Sequence, residues 1–292
     1  MNGLAVAGPL MAVLLGLTLT WLVPAGAGAI VLALVVACLV VPHGALDALS
    51  LRGPWQWLLY VVAFVLVAAG WWVAPVVSLG VFFGITMVHF AQGDAAFMAV
   101  GQRSILRVAA RGVLPLSLPG VFHPAEYVAA ITLVLESLQA DTFVAGLVVP
   151  LSWLGTVVSL LAALWSMRRS HCRADGGALL GLLVLFAVAP PLLSIGLYLA
   201  LWHGWRHGLR VSELRTGAAT IRGVVDACRS SLPTIMVSVS GFLVMIGIMA
   251  ASGAALPTVL GPTLALLASL TVPHVVVVTA LDLRLADAGR ST

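Results

Sequence analysis

Runs of about twenty uncharged, apolar residues recur along this chain, and a run of that length spans the hydrocarbon core of a bilayer as one helix. They fall near 4–23, 27–51, 56–73, 76–98, 143–166, 191–210, 232–252 and 259–282. Two shorter stretches complete the series. The first, 106–122, is interrupted by Pro115 and Pro119; the second, 178–190, ends at Pro190-Pro191. Proline is tolerated inside a membrane bundle where neighbours satisfy the freed backbone groups. Composition agrees, with 62% hydrophobic residues, 8% charged and a mean hydropathy of +1.15. A soluble domain has about a quarter of its residues charged, so lipid must cover this surface. The expected fold is all-α, a polytopic transmembrane helical bundle of about eight to ten spans by the length rule. One integral-membrane catalytic domain is expected over 1–292, with no soluble domain and no long linker.

The charges orient the bundle. All 14 basic residues are arginine. Arg52 follows the second span; Arg103, Arg107 and Arg111 follow the fourth; Arg168, Arg169 and Arg173 follow the sixth. Arg206, Arg210, Arg215, Arg222 and Arg229 lie at and after the eighth, and Arg284 and Arg290 after the tenth. The opposite loops carry Glu126, Glu136 and Asp141 and no arginine. The positive-inside rule therefore predicts that both termini are cytoplasmic, in a multi-pass protein of the cell inner membrane. Leu4–Val23 is expected to be a retained first helix, since no positive segment precedes it as in a signal peptide.

Several function classes drop out. With no lysine, the chain cannot be a retinal-binding rhodopsin, whose Schiff base needs a lysine amine. Cys38, Cys172 and Cys228 are scattered and form neither a disulfide framework nor a thiolate metal site. The bilayer is the expected surrounding, and no nucleic acid partner is expected.

Five of the seven histidines fall inside or at the edge of spans: His43, His89, His203, His207 and His274. Their spans are the second, fourth, eighth and tenth, which all run in the same direction. Each histidine stands roughly two turns before the cytoplasmic end of its span, about 10 Å by helix rise. Four helices thus deliver imidazole to one depth, where an ionisable group is costly and marks a functional site. His203 and His207, spaced i, i+4, share one helix face and can ligate a single metal. The alternative is four separate core histidines, each with its own partner in a dry interior. His171 belongs to the arginine-rich loop, and His123 to the opposite end of a short span.

Carboxylates accompany the set. Asp47, four residues after His43, can bond a histidine on a neighbouring helix, as carboxylates do behind metal-ligating imidazoles. Asp94 lies five residues after His89, about 140° around an ideal helix, and needs either an irregularity at Gly93 or a partner on another helix. Asp282 stands too far along its helix to serve His274 and is expected to pair with an arginine such as Arg284. Several imidazoles with few carboxylates suit iron, zinc or copper. In apolar surroundings such a site suits oxygen chemistry on a lipid-soluble substrate. Phe82, Phe83, Met87, Phe90 and Phe97 could line a hydrophobic tunnel or simply pack the core.

Four segments together resemble the Brp/Blh family of bacterial and archaeal β-carotene 15,15′-dioxygenases: Pro42-His-Gly-Ala-Leu-Asp47, His89-Phe-Ala-Gln-Gly-Asp94, His203-Gly-Trp-Arg-His207, and Pro273-His274 with Asp282. The segment from Arg111 to Pro119, followed by His123-Pro124, is similar to the middle region of that family. Gly204, Val275 and Ala91 depart from the family's pattern beside the expected ligands. The resemblance implies an Fe(2+) enzyme that splits the central double bond of β-carotene with O2 into two all-trans-retinal molecules. It implies His43, His89, His203 and His207 as iron ligands. Asp47, Asp94 and His274 would stand behind them, His274 as a further ligand or a neighbour. A functional link to a rhodopsin, which consumes retinal, is implied as well.

Two other readings stay open on the residues themselves. Intramembrane histidine and aspartate can form the proton relay of a membrane transporter, although no internal repeat of the kind many carriers show is evident. A non-catalytic accessory protein for opsin assembly would need no metal.

Overall fold

A computed structural model describes residues 3–22, 44–98, 104–138, 142–169, 173–251, 253 and 256–290. His43, His171 and most of the expected second span lie outside the described residues. Among the described residues every regular element is a helix. Six helical segments are long and apolar enough to cross a membrane: Leu4–Leu22, Pro54–Val73, Pro75–Ala95, Ile105–Phe122, Phe143–Trp165 and Gly261–Leu283. A seventh candidate is the pair Ile221–Ser230 and Leu232–Val244, bent by 64° at the break. The shorter apolar helix Gly176–Val188 matches the short span expected over 178–190.

In chain order the helices are α1 (Leu4–Leu22), α2 (Pro54–Val73), α3 (Pro75–Ala95), α4 (Ile105–Phe122), α5 (Pro124–Ser137), α6 (Phe143–Arg169), α7 (Arg173–Val188) and α8 (Pro191–Leu197). A π-turn (Tyr198–His203) joins α8 to α9 (Gly204–Thr216), and α10 (Ile221–Ser230), α11 (Leu232–Ala251), α12 (Leu256–Ser269) and α13 (Thr271–Arg290) complete the chain. Pro54 and Pro191 stand in first turns, where a missing N–H costs nothing. Two helices differ from the sequence reading. Helix α5 occupies what the charge pattern assigned to an outer loop, and α10 fills the arginine-rich stretch after the eighth span.

The chain divides into two compact units. The first contains residues 1–40, 86–132 and 142–207; the second contains 41–85, 133–141 and 208–292.

In the first unit, small residues let helices approach closely, as is usual where no hydrophobic drive acts between helices in lipid. Helix α4 carries Pro115 and Pro119 yet stays helical throughout. The Tyr127 hydroxyl donates to the Leu116 carbonyl at 2.8 Å, between the two prolines. Gly120 and Gly155 form the seam between α4 and α6, where the Thr156 hydroxyl lies 3.0 Å from that of Ser117. Gly112 seats α4 against the backbone of α3 at Met87; a Cβ there would also lie 2.9 Å from that of Ala91. Gly181 of α7 lies beneath Trp202, while Trp205 donates to the Leu4 carbonyl at 2.6 Å. The π-turn is thereby clamped from two sides.

In the second unit a 3-10 turn, Leu46–Leu49, is pinned by Leu46, which buries itself with Val211, Ala227 and Leu281. An apolar cavity of about 170 Å³ lies among Trp71, Phe82, Ile85, Ala268 and Val272.

Candidate metal and substrate site

In the first unit, α3 carries His89 and the π-turn ends on His203, and both are buried. Their Nε2 atoms lie 2.8 Å apart, with the rings edge to face at 4.6 Å between centroids. Two facing imidazole nitrogens so close must share a proton or share a cation. Imidazole binds such metals at about 2.0–2.1 Å, so two ligands at a right angle sit about 3 Å apart. The spacing of the pair therefore fits two adjacent donors to one metal ion.

Gly93 makes the pair possible. A Cβ at Gly93 would lie 2.9 Å from Cε1 and 3.1 Å from Nδ1 of His203, so only glycine lets that ring lie flat on α3. Phe90 backs both rings, with its centroid 5.0 Å from that of His203. His207, one turn beyond His203, is buried too.

Asp94 takes arginines as partners. It pairs with Arg206, and Arg111 Nη1 lies 3.7 Å from its other oxygen. The sequence reading assigned those arginines to the cytoplasmic edge. Arg107, Arg111 and Arg206 are buried within the protein, with Arg206 packed over the rings of Phe97 and Trp202. The expected partner on another helix exists, and it is a guanidinium.

In the second unit, Asp47 and His274 meet. His274 Nδ1 lies 3.0 and 2.9 Å from the two Asp47 oxygens, and both residues are buried. The Tyr60 hydroxyl donates to Asp47 Oδ2 at 3.2 Å. An ionised Asp47 could only accept; His274 would then carry its proton on Nδ1 and offer the Nε2 lone pair. This is the arrangement by which carboxylates fix metal-binding imidazoles. Asp282 pairs with Arg210, where the sequence suggested Arg284.

Three participants escaped sequence reading: Tyr60, the seat at Gly93 and the buried arginine partners of Asp94. The aromatic residues that could line a tunnel or pack the core have separate tasks. Phe90 packs the histidines, Phe97 carries Arg206, and Phe82 lines the apolar cavity.

A buried pair of imidazoles inside a polytopic helical membrane protein defines the class as an integral-membrane protein with a candidate metal centre. The family model for beta-carotene 15,15'-dioxygenase matches residues 34–282, and the chain belongs to that family. It is similar to a protein of Halobacterium salinarum (strain ATCC 700922 / JCM 11081 / NRC-1) named "Probable beta-carotene 15,15'-dioxygenase Blh". The two are 31% identical over 293 residues, covering 82% of this chain and 80% of that protein. No solved structure matches the chain.

Proposed function

We propose that this protein is an iron-dependent dioxygenase of the inner membrane that cleaves the central double bond of β-carotene with O2. The observation that carries this reading is the buried His89–His203 pair at 2.8 Å, in a chain of the β-carotene 15,15'-dioxygenase family. His43, His89, His203 and His207 would hold Fe(2+), with His274 as a further ligand or close neighbour and Asp47 fixing its tautomer. Bound iron would supply the redox chemistry that lets O2 react with a closed-shell alkene.

The overall reaction balances without any other reactant. One carbon–carbon double bond and the O–O bond break, and two carbonyl bonds form. The carbons are oxidised, O2 is reduced, and no proton or external reductant is consumed. The protein's own part is therefore to hold imidazoles and polyene in place and to keep water away. Gly93 and Phe90 fix the His203 ring, while Tyr60 and Asp47 fix His274. The apolar cavity beside Trp71 and Phe82 measures about 170 Å³. That is below the roughly 300–1,000 Å³ of a complete small-molecule site, so it would take one part of a long hydrocarbon. The termini would both be cytoplasmic, and the retinal formed would supply a rhodopsin.

The test is expression in a bacterium that makes β-carotene, followed by pigment extraction. Loss of the orange pigment with appearance of retinal is expected. Unchanged carotene in cells that contain the inserted protein would reject the reading.

A further inference from the structure

Tyr198, Trp202 and Arg206 form a column on one helix face beside the histidine pair. Each lies four residues after the last, and the π-turn sets their phase. The Tyr198 and Trp202 rings stack at 6.1 Å, and the Arg206 guanidinium lies 5.3 Å above the Trp202 ring. Tyr198 also stacks on His203, at 6.4 Å and 26°, and meets Phe90 edge-on at 4.9 Å. Both aromatic residues are 1% exposed and Arg206 is 4% exposed.

Each member holds a buried polar atom that has no hydrogen-bond partner among the described residues: the Tyr198 hydroxyl, Trp202 Nε1 and Arg206 Nε. Each unmade hydrogen bond costs folding free energy, so an isolated orphan already needs a reason. Three on one buried column, all able to donate, leave unmet demand for an acceptor. A hydrocarbon polyene offers no acceptor atom. The aldehyde formed by its cleavage offers a carbonyl oxygen, created next to the metal ligands.

We propose that Tyr198, with Trp202 and Arg206 behind it, forms a carbonyl-oxygen site that binds the aldehyde end of the cleaved product. The inference rests on the dioxygenase reading for the identity of that aldehyde. Tyr198 is the leading donor because its ring lies against His203. The site distinguishes product from substrate, because only the product offers an acceptor to these donors. It would draw the new carbonyl away from the metal ligands and hold it until release.

The experiment uses the full-length, metal-free protein in detergent, titrated with all-trans-retinal and separately with its oxygen-free hydrocarbon analogue. Wild type, Tyr198→Phe and Trp202→Phe are compared by tryptophan quenching and by the retinal absorption maximum. Loss of one neutral hydrogen bond predicts that Tyr198→Phe binds retinal about 3- to 10-fold more weakly. The absorption maximum should shift, and affinity for the hydrocarbon should not change. Trp202→Phe should show the same pattern more weakly, and it decides the matter if Tyr198→Phe does not fold. Equal retinal affinity and spectrum in the variants would overturn the site, meaning that the donors serve only buried water. An equal loss for both ligands would overturn it too, since that is a packing effect. β-Carotene cleavage by the wild type is assayed in parallel. If the retinal pattern holds without cleavage, the dioxygenase reading falls and the carbonyl site stands.

Discussion

Nδ1 of His274 lies 2.9 Å from Oδ2 of Asp47, a hydrogen-bond contact across 227 positions of sequence. The contact holds a helix-borne imidazole in rotation, with Nε2 on the ring's far side from the carboxylate. Asp47→Asn keeps the size but removes the charge that holds the proton in place. The variant should insert normally and bind iron about 10- to 100-fold more weakly, the usual cost of losing such a support. Added Fe(II) should restore part of its activity. A flat response to Fe(II) with wild-type iron content would remove Asp47 from this role.

Gly93 is the seat of His203. Adding one methyl group in Gly93→Ala places a Cβ 2.9 Å from the imidazole, a distance that forces the ring to move. Iron retention should fall several-fold while the helix, which favours alanine over glycine by about 1 kcal/mol, gains local stability. Thermal unfolding and metal content measured on one sample separate the two effects. Full iron retention would show that the ring position does not matter.

Asp94 neutralises buried guanidinium groups, so its loss acts on stability first. Asp94→Ala takes from the buried Arg206 its carboxylate partner and from Arg111 the carboxylate beside it, inside the first unit. Breaking a buried pair from one side costs about 3–5 kcal/mol, and the variant should be recovered poorly from the membrane. Combining Asp94→Ala with Arg206→Met should recover much of that loss, because the charge goes with its partner. Equal destabilisation in the single and double variants would contradict the pairing.

These contacts also mark how far the sequence carries. The histidines and Asp47 were legible because a titratable group at membrane depth is rare enough to stand out. The helical class followed from apolar runs alone. Gly93, by contrast, is one of 29 glycines, and its task depends on a ring 110 residues away in sequence. Tyr60 and Tyr198 carry polar atoms on largely apolar bodies, and no periodicity singles them out. The pairing of Arg111 and Arg206 with Asp94 was not legible, for a physical reason. The positive-inside rule counts arginines at helix ends without knowing which of them fold back onto an aspartate.

The central claim is that buried imidazoles hold iron, and the metal content of purified protein tests it most directly. Elemental analysis of wild type should find about one iron per chain, as expected for a single multi-histidine centre. His89→Ala and His203→Ala should each lose most of it, since either removes one half of the 2.8 Å nitrogen pair. Folded wild-type protein purified without metal and unable to take up Fe(II), or full iron content in both variants, would contradict the account.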